Sequence, residues 1–196
     1  MDKIDSLDKI NAFVSDIRSL RKGYLTNFFL DRKKHSLWIE KGELFYVSFP
    51  DCYFLLHLTN SVNNLFFITT TSQQLAENLK AFLPIFAEQM VVDIVGDAKI
   101  VDLKDVFVEQ GFSVYEQLYR MNRIGTLEFK EIDTPNVCFA EDVDAQVVLD
   151  MLHSYFDPLS EQLPSYEEIL YFISRKSVLV YKEAGKVYGF VIFELN

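Results

Sequence analysis

The sequence predicts an α/β fold whose mixed, largely antiparallel, twisted sheet is flanked by helices. Helical spacing of apolar residues alternates along the chain with short apolar runs that are bounded by turn signals. The composition is rich in aromatic residues, with 18 Phe and 10 Tyr, which suits sheet faces packed under helices. With 196 residues, of which 49% are hydrophobic, the chain is long enough for one large domain or two small ones.

The first part of the chain predicts one helix followed by a meander of strands. Apolar residues recur at helical spacing over residues 5–22, and Gly23 follows as the expected end of that helix. Alternating runs then predict antiparallel strands at residues 24–30, 36–40, 43–49, 53–59 and 65–70.

A second pattern begins at Thr71, whose hydroxyl is placed to cap a helix while Gln74 completes a capping box. The runs that follow predict an interior strand at residues 90–95, a helix at 103–110 and a strand at 113–122. This order implies a crossover packed on a mixed sheet.

A connector at residues 123–135 separates this part from a second domain. There we predict a strand at 136–140, a helix at 143–155, a helix capped by Ser165 with Glu168, and a closing hairpin. The predicted domains are therefore residues 1–125 and 126–196.

Charge and cysteine content limit the classes of function. There are 19 Lys and Arg against 29 Asp and Glu, a formal charge of −10, so a nucleic-acid partner is not expected. Nine of the basic residues lie between Lys3 and Lys41, where they either contact an acidic partner or keep the surface soluble. Residues 141–170 hold eight acidic residues and no Lys or Arg, either as solvated helix faces or to attract a cationic ligand.

The two cysteines, Cys52 and Cys138, lie in apolar strand-like runs and are expected to be buried thiols. The N-terminus shows no secretory leader, and no apolar run approaches the length of a membrane span. We therefore expect a cytoplasmic protein with neither a membrane partner nor a metal site.

The second domain combines a strand, two helices and the hairpin VLVYKEAGKVYGFVIF, which contains a Gly189-Phe190 pair. From Leu127 onward this succession resembles the opening half of the GNAT superfamily of N-acetyltransferases, in which such a pair is typical. Residues 41–122 resemble the later portion of the same fold. The segments LWIEKGELFYVSF and VLVYKEAGKVYGFVIF suggest a degenerate internal repeat. The first domain is then a degenerate GNAT-like unit, and the second is the N-terminal half of another such unit, apparently truncated.

The resemblance implies that acetyl-CoA is the co-substrate and that a Gly-rich turn cradles its pyrophosphate at a helix N-terminus. The seven glycines show no G-x-G spacing, and the equivalent turn of the first unit reads TTTSQQ, residues 69–74. We therefore expect no cofactor-binding residue in this chain and no tight binding of acetyl-CoA.

The resemblance also implies that the acceptor amine lies against the connection between the first two helices of the second domain. There Asp157 and Glu161 are candidates to hold an ammonium group, with Tyr155 and Phe156 as pocket walls. The alternative is a Pro-containing surface loop with both aromatic residues in the core. No catalytic residue is assigned.

Two functions remain open. In the first, the chain is part of a GNAT-type N-acetyltransferase that acts on a primary amine of a small molecule or peptide, and the acetyl-CoA cradle lies outside this chain. The second is a non-catalytic GNAT-like module that binds a partner or forms a homodimer through the sheet edge.

Overall fold

The computed structural model describes residues 1–86, 88–95, 100–118 and 134–193. The chain divides into two compact units, Met1–Tyr115 and Glu116–Asn196. The first contains a five-stranded sheet and the second a three-stranded sheet, and helices accompany both. The predicted α/β class with a largely antiparallel sheet is thus confirmed. The predicted boundary at residue 125 lies outside the described residues.

The helices are α1 (Leu7–Ser19), α2 (Arg32–Lys41), α3 (Ser72–Phe82), α4 (Ile100–Glu109), α5 (Ala145–Tyr155) and α6 (Tyr166–Ser174). The strands are β1 (Asp2–Lys3), β2 (Leu25–Thr26), β3 (Leu44–Phe49), β4 (Cys52–His57), β5 (Asn64–Thr69), β6 (Val137–Phe139), β7 (Val178–Glu183) and β8 (Lys186–Ile192).

The sheet of unit 1 has the order β1-β3-β4-β5-β2, and its neighbouring strands are antiparallel. Side chains alternate between its two faces, as the period of a strand requires. On one face Leu55 and Phe66 join a buried cluster that includes residues of α1 and α2. On the other face Phe54 and Phe67 join a cluster that includes residues of α3 and α4. Unit 1 therefore has helices packed on both faces of its central strands.

Helix ends in the structure follow the predicted caps in two places. At the start of α3 the Thr71 hydroxyl accepts a hydrogen bond from the Gln74 amide at 3.1 Å, but the predicted capping box is not formed, because the Gln74 side chain does not accept from the Thr71 amide. At the start of α6, Ser165 and Glu168 form the predicted capping box, in which each side chain accepts from the other's backbone N–H. These local polar contacts satisfy amides that have no partner within the helix.

The segment predicted as a strand at residues 36–40 is instead part of α2. The side chain of Asp31 accepts from the amides of Lys33 and Lys34, which begins the helix, and Gly42 ends it with φ +70°. Within it His35 and Trp38, three residues apart, are both buried. The β propensity of Trp38 and its neighbours gave the wrong prediction because these caps and this helical spacing prevail.

Other predicted elements are shorter than expected. Helix α1 ends at Ser19, and the left-handed backbone of Arg21 at φ +56° follows it. The strand predicted at 24–30 is limited to β2. Residues 90–95 form one parallel bridge, between Asn64 and Val91, rather than a strand. Residues 113–118 have no regular secondary structure, and the rest of the strand predicted there lies outside the described residues.

Unit 2 has the antiparallel order β6-β7-β8. Its core consists of apolar side chains from α5, α6 and the sheet: Ala140, Ala145, Val148, Leu152, Ile169, Ile173, Val178, Val180 and Val187. A 3₁₀ turn, Asp142–Asp144, leads into α5.

The two units open with the same kind of succession. Strand β6, helices α5 and α6, and strands β7 and β8 correspond in order to β1, α1, α2, β3 and β4, with the same antiparallel neighbours, except that unit 1 has β2 between its two helices. The repeat suggested by LWIEKGELFYVSF and VLVYKEAGKVYGFVIF was aligned wrongly. Residues 37–41 lie in α2 whereas their supposed counterparts lie in β7.

Candidate functional site

An open groove of about 540 Å³ lies between α5 and β8 in unit 2. Its walls are mainly apolar, and its lining residues are Met151, Leu152, Tyr155, Phe156, Gly189, Phe190, Val191 and Ile192. Because β8 has a neighbour on one side only in the described sheet, the groove runs along an unpaired strand edge.

Two of the four residues predicted for substrate binding line this groove. Tyr155 lies at the end of α5 and is 74% exposed, and Phe156 follows it and is 43% exposed. The alternative that both belong to the core is therefore wrong. Met151 stands one helical turn before Tyr155, so the spacing of α5 presents both side chains to the groove.

The two predicted carboxylates are not among the groove's lining residues. Asp157 organises the turn that follows: one carboxylate oxygen accepts from the Leu159 amide at 2.9 Å, and its carbonyl accepts from the Ser160 and Glu161 amides. This is an Asx-type turn. Glu161 is half-buried. The structure thus brings the aromatic pair together with β8 and leaves both carboxylates in the adjoining turn.

The turn at residues 69–74 of unit 1, where the cofactor cradle of the resemblance would lie, is covered by the chain at its first two residues. Gly23 lies against it so closely that an added Cβ would come within 2.6 Å of the Thr70 carbonyl oxygen. Thr69 and Thr70 are buried. The Thr69 hydroxyl donates to the carbonyl of Asp51 at 3.0 Å. Unit 1 therefore encloses Thr69 and Thr70, whereas Thr71 and Gln73 at the start of α3 are exposed to solvent.

Asn27 occupies the edge of β5 beside this turn. Its amide nitrogen donates to the carbonyls of Leu65 and Asp93, at 3.2 and 3.0 Å, and its amide oxygen accepts from the Phe67 N–H at 2.7 Å. Asn27 is 8% exposed. It stands between β5 and the segment that follows Val91, which explains why that segment pairs with β5 at one position only. In the sequence the signal is a single amide side chain within an apolar run.

A buried aromatic cluster in unit 1 contains two histidines. The His57 ring stacks on Trp38 with centroids 3.7 Å apart, and His35 stacks on Phe28 at 4.3 Å. His35 Nδ1 accepts from the Asp31 amide at 3.0 Å. Burial, together with the nearby Lys34 ammonium, lowers the pKa of each imidazole to about 4. Both rings are thus neutral at pH 7.

One carboxylate does contact this cluster. Glu43 Oε2 lies 3.2 Å from His57 Nε2. The carboxylate gives the neutral ring a hydrogen-bond acceptor, so that Nε2 carries the proton of that ring.

The cysteines differ in environment. Burial raises the pKa of the Cys52 thiol to about 12, so it is inert toward electrophiles. Cys138, predicted to be buried, is exposed, because all three residues of the short edge strand β6 are exposed to solvent. Among the described residues, no group of three or more His, Cys, Asp or Glu side chains is placed to hold a metal ion.

An ion pair joins the sheet of unit 2 to the start of α5. Lys182 Nζ lies 2.7 Å from Asp144 Oδ2, and this contact raises the pKa of Lys182. The same Asp144 oxygen accepts from the Glu141 amide at 2.9 Å. The pair fixes the 3₁₀ turn on β7 and contributes no residue to the groove.

No helix in the described part of the chain is both long and apolar enough to cross a bilayer. The comparisons with known proteins find no matching family model, no matching curated protein and no matching solved structure.

Proposed function

We propose that the chain is part of a GNAT-type N-acetyltransferase. In this proposal unit 2 supplies the side of the site that receives the acceptor amine, and unit 1 is a non-catalytic companion. The observation that carries the proposal is the succession β6-α5-α6-β7-β8, in which the α5–α6 connection begins beside an open groove. This is the position at which the family resemblance expects the amine.

The groove favours one class of amine. Since its lining is mainly apolar, an alkyl or aralkyl primary amine fits it better than a polyamine. The hydrocarbon part would contact Phe190 and Met151, and the ammonium group would face Tyr155 and Phe156. Asp157 and Glu161, in the adjoining turn, would add long-range attraction for the cation.

Acetyl-CoA is the co-substrate in this proposal, and its cradle is assigned to no residue of this chain. The burial of Thr69 and Thr70, with Gly23 against Thr70, supports that assignment. The proposed setting is the cytoplasm, where two free thiols are usual.

The experiment that tests the proposal is titration of this chain with phenethylamine and butylamine, followed by the backbone amide resonances. We expect saturable shifts at Tyr155, Phe156 and Val191, with none at Thr69 or Gln74. Phenylethanol, which lacks the ammonium group, is the matched control and should shift these resonances less. If no saturable shifts occur at the groove, the proposed acceptor site is wrong. If acetyl-CoA binds saturably at residues 69–74, the proposed non-catalytic role of unit 1 is wrong.

A second candidate function is a binding or dimerisation module without catalysis. The observation that favours it is the edge of β8, which has no neighbouring strand in the described sheet of unit 2. If β8 pairs with β8 of a second copy, sedimentation equilibrium will show a dimer, and replacing Ile192, whose N–H points away from β7, by Pro will dissociate it. A monomer at all concentrations would exclude the dimer.

A further inference from the structure

A cationic and apolar surface lies on the connection between α1 and α2, and neither the groove nor the proposed acetyl transfer uses it. Residues 18–34 contain six Lys or Arg and one acidic residue, in a chain whose formal charge is −10. We call this segment the basic loop. The acidic residue is Asp31, whose carboxylate is engaged by the amides of Lys33 and Lys34. One of the six cations, Lys22, pairs with Asp51 outside the segment, at 2.7 Å.

The basic loop also exposes large apolar side chains. Phe29 is 64% exposed and Leu30 is 39% exposed, and they stand directly before the basic start of α2. At the other end of the loop, Leu20 is 39% and Tyr24 is 37% exposed, and the Arg18 guanidinium lies 4.4 Å from the Tyr24 ring centre. Cations and exposed apolar side chains thus occur together at both ends of the loop.

The protein holds this exposed loop in a defined conformation. Between its two ends, β2 pairs with β5, Asn27 is hydrogen-bonded to three backbone groups, and Phe28 is buried against His35. Phe29 and Leu30 are therefore presented to solvent by a fixed backbone. A fixed loop loses little conformational freedom when it binds.

The charges at the start of α2 oppose the stability of the helix. Arg32, Lys33 and Lys34 occupy its first turn, which contains no acidic residue. Because the N-terminus of a helix carries partial positive charge, cations there are unfavourable. An external anionic surface would offset this repulsion.

We propose that the basic loop docks this protein on an anionic lipid surface. Phe29 and Leu30 would enter the boundary between headgroups and acyl chains, while the neighbouring Arg32 and Lys33 contact lipid phosphates. Adjacent exposed aromatic and aliphatic side chains favour lipid over an acidic protein or a nucleic acid, because an acyl layer accepts both without a matching pocket. The expectation of no membrane partner rested on the absence of a spanning segment, which peripheral docking does not need.

The test is sedimentation of the whole chain with vesicles of phosphatidylcholine alone or with about 30% phosphatidylserine. We expect binding to the anionic vesicles only, and a loss of binding as salt rises from about 0.1 to about 0.5 M. Equal binding to both vesicle types, or no binding to either, overturns the proposal. So does tighter binding to poly-glutamate or to single-stranded DNA than to the anionic vesicles.

Two variants locate the contact. Arg32→Glu with Lys33→Glu should weaken vesicle binding about 30-fold or more, since each basic residue near an anionic surface contributes about fivefold. Phe29→Ser with Leu30→Ser should weaken it at least about tenfold. The matched control, Val143→Ser with Lys186→Glu, removes an exposed apolar residue and a cation from unit 2 and should bind as the parent does.

The charge variant carries its own test of folding. Placing carboxylates in the first turn of α2 should leave the melting temperature unchanged or raise it. Weaker vesicle binding with an intact or higher melting temperature supports the proposal. Unchanged binding in both loop variants overturns it.

Discussion

The imidazole of His57 lies flat against the indole of Trp38, with ring centroids 3.7 Å apart and ring planes 9° from parallel. His35 contacts the same indole edge-on, at 4.8 Å. Two histidines therefore share one aromatic partner in the core of unit 1. In this position a positive charge on either ring is costly, because burial removes its hydration.

We expect acid to destabilise unit 1 through these histidines. Their folded pKa of about 4 lies below the ordinary value of 6.5, so below pH 6.5 the unfolded chain binds more protons than the folded one. Stability should therefore fall as pH decreases from 6.5 toward 4. Between pH 7 and pH 5 the loss is about 2 kcal/mol for each histidine.

Urea unfolding at pH 7 and pH 5 measures this effect, with Trp38 fluorescence as the probe. The double variant His35→Gln with His57→Gln should lose most of the pH dependence. His153→Gln, at an exposed position of α5, is the control and should keep it. If the double variant is as sensitive to acid as the parent, the loss of stability between pH 7 and pH 5 is caused by groups other than these two histidines.

Replacing Asn27 by Ala should destabilise unit 1 by about 2–4 kcal/mol. The change leaves the Phe67 N–H and the carbonyls of Leu65 and Asp93 without the bonds that Asn27 makes, and unpaired buried groups are expensive. Equilibrium denaturation gives the free energy. Asn60→Ala, at an exposed site, should cost less than about 0.5 kcal/mol. Similar values for the two variants would show that the three bonds carry little stability.

Gly23→Ala should destabilise unit 1 by about 2 kcal/mol or more. Gly23 has φ +117°, and a Cβ would lie 2.6 Å from the Thr70 carbonyl oxygen. Gly111 has φ +94° with nothing within 4 Å of an added Cβ, so Gly111→Ala reports backbone strain alone. The difference between the two melting temperatures measures the close contact. Equal losses of melting temperature in the two variants would mean that the Thr70 carbonyl moves away from the added Cβ at no cost in stability.

One thiol of the native chain should react with a disulfide reagent, and two should react after denaturation. Cys138 is exposed, whereas Cys52 is buried with its pKa raised to about 12. Absorbance of the released thiolate counts the reacting groups. Cys138→Ser should leave no reactive thiol in the native chain. Rapid reaction of that variant would show that Cys52 is accessible through local opening.

The sequence predicted the elements whose signal is local. The caps at Thr71 and Ser165 are recognised within four residues, and the hairpin of β7 and β8 follows from a short turn between apolar strands. The prediction from sequence was wrong at α2, where aromatic and β-branched residues suggested a strand. The decisive signals there were Asp31 and Gly42, at the two ends of the helix.

Contacts distant in sequence account for the remaining differences. The amide of Asn27 reaches Asp93, and no local pattern indicates such a pairing. In the same way the sequence placed Tyr155 and Phe156 at the candidate site, but β8 as the opposite wall became apparent only from the packing of unit 2. The role of Asp157 in the backbone of its turn also needed the structure.

The bond from Asn27 to the Asp93 carbonyl has a consequence for synthesis. Residue 27 is synthesised long before residue 93. The connection between α1 and α2 therefore leaves the ribosome before Asp93, with which Asn27 forms a hydrogen bond, has been translated. Until β5 and Asp93 have followed, Phe28 and its apolar neighbours remain available to chaperones and to aggregation. Slowing translation between β5 and Asp93 should therefore lengthen that exposure.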